Sequence, residues 1–88
     1  MSLAVIDVEP LNDYKLLLTF ENGEKRIFDV SPYLDKGVFQ ELKNEEKFRT
    51  VRVSFDSIEW CNQADLDPEF LFERSKACWG GNLTELVT

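Results

Sequence analysis

The chain has 88 residues, 43% of them apolar, and carries 17 acidic against ten basic side chains for a net charge of −7. That length holds one domain, and seven Phe with two Trp argue against a disordered chain. The Lys and Arg residues are scattered among acids, so binding of nucleic acid by this chain alone is not expected, since phosphate contacts need a basic patch. No apolar run has membrane-spanning length, and no basic-then-apolar leader is present. Two cysteines are too few for a disulfide scaffold. These features predict a cytoplasmic protein with reduced thiols. The acidity reads first as solubility, and in its sharper form as a face that docks on a basic partner.

In chain order, Leu3 to Glu9 reads as a first strand that Pro10 ends, with Leu11-Asn12-Asp13 as turn chemistry. Tyr14 to Val30 carries the strongest local signal, two strand-forming runs around Glu21-Asn22-Gly23-Glu24. A two-residue loop would oppose Glu21 to Glu24 and Leu16 to Asp29, both unfavourable pairs. A three-residue loop with Gly23 in a left-handed bulge position instead opposes Leu16 to Phe28, Leu17 to Ile27 and Lys15 to Asp29. The second register is preferred. It gathers Tyr14, Leu16, Phe28 and Val30 on one face and leaves Leu17 and Ile27 on the other.

Ser31-Pro32 starts a short helical turn that Gly37 stops. Val38 to Leu42 is a second helical piece, and Asn44 caps a third over Glu45 to Arg49. Leu34, Val38, Phe39, Leu42 and Phe48 are expected to form a lid on the sheet. Val51 to Phe55 and Ile58 to Trp60 alternate around a turn at Asp56-Ser57, a second hairpin whose Val51, Val53, Phe55, Ile58 and Trp60 should share a buried face. Asp67 as N-cap, Pro68 at the first helical position and Glu69 in the first turn open a last helix running to about Ala77. Gly80-Gly81 breaks it. The fold predicted is α+β, a mostly antiparallel sheet of about five strands built from two hairpins plus an N-terminal strand, with short helices and one C-terminal helix. Residues 1–79 form the domain and 80–88 a C-terminal tail.

The sequence contains no histidine, which removes the commonest general base and metal ligand. Cys61 and Cys78 lack a His partner and metal-site spacing, and read as small buried apolar residues. Asp65 and Asp67 could share a cation, but Asp67 is accounted for as a cap and no third ligand or phosphate loop follows. No catalytic, cofactor-binding or metal-binding residue is assigned, and the chain is not expected to be an enzyme. Leu17, Ile27, Trp79 and Leu86 are the apolar residues left over from the core, and are the candidate interface of a homodimer or a protein partner.

Val5-Ile6-Asp7-Val8-Glu9-Pro10, Leu17 to Glu24 with Phe28-Asp29-Val30, and Trp60 to Pro68 stand in an order that resembles the bacterial family filed as domain of unknown function 2442. Gly37-Val38-Phe39 and Phe48 to Val53 fit the same pattern. The family's usual run after the Trp is Pro-Asn-Gly-Ala-Asp, and here Cys61 and Gln63 replace the Pro and the Gly. The resemblance implies a small α+β domain with a mostly antiparallel sheet, and it supplies no catalytic residues. Some relatives carry a DNA-binding domain after this one, and others are encoded beside a second small protein. Two readings of function follow. The first is a non-enzymatic interaction module, the neutralising partner in a toxin–antitoxin-like pair. The second is a small-ligand-sensing or accessory domain related to transcription regulators, with a pocket lined by Trp60 and Phe residues.

Overall fold

The computed structural model describes residues 3–77. Cys78, Trp79, Leu86 and the proposed tail 80–88 lie outside the described residues. Among the described residues seven strands form two antiparallel sheets. β1 (Val5–Leu11), β2 (Lys15–Phe20), β3 (Lys25–Asp29) and β7 (Lys76–Ala77) make the larger, in the order β1-β2-β3-β7. β4 (Arg52–Ser54), β5 (Ser57–Glu59) and β6 (Asp65–Leu66) make the smaller. The second hairpin therefore does not join the first in one five-stranded sheet. It lies beside β1, where the Val5 N–H donates to the Asp56 carbonyl at 2.9 Å.

The first hairpin takes the preferred register, with Lys15 opposite Asp29, Leu16 opposite Phe28 and Leu17 opposite Ile27. Its loop closes as Gly23 N–H donates to the Phe20 carbonyl and Phe20 N–H to that of Glu24, with Gly23 at φ 87°. The same two bonds recur between Trp60 and Ala64: Gln63 N–H donates to the Trp60 carbonyl and Trp60 N–H to that of Ala64, both at 2.9 Å. Gln63 stands where Gly23 stands, at φ 71°. Two turns of one type thus differ in whether the left-handed position holds glycine, which accepts it freely, or a residue with a Cβ.

Pro10 does not end β1, which continues to Leu11 opposite Lys15. β1 is an edge strand, where a missing N–H is tolerated. A bulge between Val5 and Asp7 turns Val5 into the core and leaves Ile6 57% exposed. The core gathers Leu16, Leu18, Phe20, Phe28 and Val30 from the inner face of the large sheet with Leu34, Leu42, Phe48, Trp60 and Leu71 from the segments that cover it. Of the expected lid, Leu34, Leu42 and Phe48 are buried and Phe39 packs edge-on to Trp60, whereas Val38 is exposed. Asn44 caps α1 (Glu45–Phe48) by accepting from the Glu46 and Lys47 N–H groups. Asp67 caps α2 (Pro68–Arg74) by accepting from Glu69 N–H.

α2 stops at Arg74, three residues short of the predicted end. Arg26 donates through Nε to Ser75 Oγ and through Nη2 to the Ser75 carbonyl, both at 2.7 Å. The chain after Ser75 is extended, and Lys76 and Ala77 pair with Ile27 and Arg26 as β7.

Candidate functional site

The second hairpin turns one residue earlier than its alternation predicts. Ser54 opposes Ser57, so Phe55 and Asp56 form the connection. Phe55 is 98% exposed and holds φ 57°. Both properties run against its chemistry: exposure leaves a large apolar side chain in water, and a positive φ is an outlier for a bulky residue. The positive φ is what a two-residue hairpin connection demands of its first residue, but neither the bulk nor the exposure of a Phe there contributes to the fold. Val53, on the edge strand β4, is also exposed, so of the five residues expected on this hairpin's buried face only Val51, Ile58 and Trp60 are buried. Asp56 holds the turn in place through the bond from Val5 N–H.

Phe55 stands on the rim of a groove of about 470 Å³ that runs from its turn across β5 and β6 to Pro68. A second groove of about 580 Å³ follows the other side of β6 along α2, past Phe70 and Glu73. The two share Asp65, Leu66 and Asp67 and so meet along β6. Asp56, Glu59, Asp65, Asp67, Glu69 and Glu73 place six carboxylates on these walls, and among the described residues no Lys or Arg lines either groove. Among the described residues Glu59 is the one with a cation at its side, Arg52 at 3.4 Å. The floor is held by Ser57, whose hydroxyl donates to the Leu66 carbonyl and fastens β6 to β5. Chemically the surface offers one aromatic anchor beside a band of negative charge.

The structure brings together only part of what the sequence singled out. Leu17 and Ile27 are cross-strand neighbours on the outer face of the large sheet, away from the groove. Trp79 and Leu86 lie outside the described residues. Asp65 and Asp67 line the groove, but no group of three His, Cys, Asp or Glu side chains able to hold a metal ion occurs among the described residues. Cys61 is exposed and not buried, because it occupies the outer corner of the Trp60–Ala64 turn while Ala64 takes the inward position. Trp60 is fully buried, donates its indole N–H to the Phe48 carbonyl at 2.9 Å, and packs against Phe39 and Phe48. It is a core residue and lines neither groove. Phe55 was missed because Val51, Val53 and Phe55 alternate as one face. The signal available was a Phe directly before two turn-forming residues.

With the geometry in place, comparison with known families gives one result. The family described as a protein of unknown function (DUF2442) matches residues 5–77. The chain belongs to that family. Neither the curated proteins nor the solved structures yield a match. In this DUF2442 member the α+β architecture with antiparallel sheets is as the resemblance implied. The loop that departs from the family's usual Pro-Asn-Gly-Ala-Asp keeps a left-handed third position, occupied by Gln63. Asn62 anchors that loop. Its side-chain oxygen accepts from Ala64 N–H, and its amide donates to the Val38 carbonyl and to Glu41. No helix among the described residues is long and apolar enough to cross a membrane.

Proposed function

We propose that this DUF2442 domain is a cytoplasmic, non-enzymatic interaction module that docks on a basic protein partner. The observation that carries the reading is Phe55, fully exposed on a positive-φ turn at the rim of an acidic groove. Backbone strain and apolar exposure at one residue persist where a contact gains from them. The carboxylates around it select the partner's sign. They speed encounter with a basic surface and penalise an acidic one. A basic partner held in this way has part of its charged surface covered, which is the chemistry of a neutralising role. The ligand-sensing alternative needs an open face on Trp60, and that residue is enclosed by its own neighbours.

The experiment is a pull-down from the native host with the parent chain and a Phe55→Ser bait side by side. The reading predicts a stoichiometric, basic partner retained by the parent, released at high salt and lost with Phe55→Ser. Absence of any stoichiometric partner, or equal retention by both baits, contradicts it.

A further inference from the structure

A different surface carries an independent inference. On the outer face of the large sheet, cross-strand pairing aligns Glu9, Leu17, Ile27 and Lys76 in one row, one residue from each of β1, β2, β3 and β7. In the adjacent row Leu11, Lys15 and Asp29 stand side by side on β1, β2 and β3. Leu17 and Ile27 are half-buried, and among the described residues neither belongs to the core cluster or to the side chains packed on it. α2 packs on the opposite face, where Phe72 meets Phe20 and Phe70 meets Phe28. The row is thus apolar at its centre, negative at the β1 end and positive at the β7 end.

We propose that this face is an isologous homodimer interface, with the two-fold axis parallel to the strands and midway between β2 and β3. That rotation exchanges β1 with β7 and β2 with β3. It sets Leu17 over the partner's Ile27, Glu9 over the partner's Lys76, and Lys15 over the partner's Asp29. One operator therefore satisfies both the apolar centre and the charges, as an isologous contact requires. Aligned sheets cross at up to about 30°, which displaces the edge residues by a few Å, within reach of Glu and Lys side chains. Within one chain Glu9 and Lys76 are three strand spacings apart, roughly 14 Å. That exceeds the Debye length of about 8 Å at physiological salt, so the two do not neutralise each other within one chain, whereas the two-fold sets each against its opposite. A face of about 15 × 20 Å buries roughly 600 Å² over the two copies, below the roughly 1,000 Å² of a stable interface, which makes the dimer a weak and reversible one.

Sedimentation equilibrium of the full chain from about 10 μM to 1 mM tests this. The parent is expected to show a reversible monomer–dimer equilibrium. Glu9→Lys and Lys76→Glu should each weaken association about tenfold or more, because each sets like charges face to face at two symmetric places. An equimolar mixture of the two variants should regain association, as should the double variant. Circular dichroism confirms that each variant is folded. A monomer mass for the parent at every concentration overturns the proposal. So does undiminished association of the single variants, or failure of the mixture to recover.

Discussion

Gln63→Gly should make the protein more stable, although it removes a side chain and adds backbone freedom. In the Trp60–Ala64 turn Gln63 holds φ 71°, and its exposed side chain makes no hydrogen bond among the described residues. A residue with a Cβ in the left-handed region costs about 1–2 kcal/mol. Glycine relieves that strain and returns about 0.5–1 kcal/mol of it as lost chain entropy. The net gain is about 0.5–1 kcal/mol, or a rise in Tm of about 2–8 °C for a domain of this size. The first hairpin provides the control. Gly23 sits at the same position of the same hydrogen-bonded turn at φ 87°, and a Cβ built there meets no atom within 4 Å. Gly23→Ala therefore tests backbone strain free of steric clash, and should lower Tm by a similar amount. Thermal unfolding of both variants by circular dichroism is the assay. A lowered Tm for Gln63→Gly, or a neutral Gly23→Ala, would show that the two turns do not share the strain assigned to them.

Three further outcomes are expected. Trp60→Phe removes the indole N–H from the buried Phe48 carbonyl and should cost about 1–3 kcal/mol in urea unfolding, the penalty of an unsatisfied buried acceptor. A loss below about 0.5 kcal/mol would contradict that pairing. Asp29 is subject to partial burial, which raises its pKa, but hydrogen bonds from the Ser31 hydroxyl and N–H and the charge of Lys15 outweigh this and hold it below its ordinary 3.8. A depressed carboxyl stabilises the fold above its unfolded value and loses that contribution as pH falls through the folded one. Asp29→Asn should therefore flatten the decline in urea midpoint below about pH 4, and an unchanged decline would refute the linkage. Asn44→Ala should cost about 1 kcal/mol by leaving the Glu46 and Lys47 N–H groups of α1 without their cap, read as a lowered urea midpoint.

What could be read from the sequence was whatever local chemistry decides. The first hairpin's register was legible because the alternative sets Glu21 against Glu24. The caps at Asn44 and Asp67 were legible because Asn44 stands before two first-turn acids, Glu45 and Glu46, and Asp67 before Pro68 and Glu69. Features fixed by distant residues were not. The end of α2 depends on Arg26, 49 positions before Ser75, and β6 and β7 are two residues each, too short for any periodicity. The division into two sheets is likewise a tertiary choice, and it costs the second hairpin its expected place beside the first. Phe55 was hidden by its own regularity. Alternation argued for a strand end facing inward, and the turn one residue earlier sends it outward. Of the candidate interface, Leu17 and Ile27 emerged as a central cross-strand pair with Glu9 and Lys76 aligned on either side, the arrangement on which the proposed dimer rests.

The central claim is that Phe55 is kept for contact and not for folding. The most direct measurement is the affinity of the captured partner for the parent chain and for Phe55→Gly, by calorimetry, with Tm recorded on the same samples. Glycine suits the positive φ of this turn and removes an exposed apolar side chain, so Tm should hold or rise. Affinity should fall by about thirtyfold or more, the loss of an aromatic hot spot worth about 2 kcal/mol. Unchanged affinity, with the variant folded, would contradict the claim.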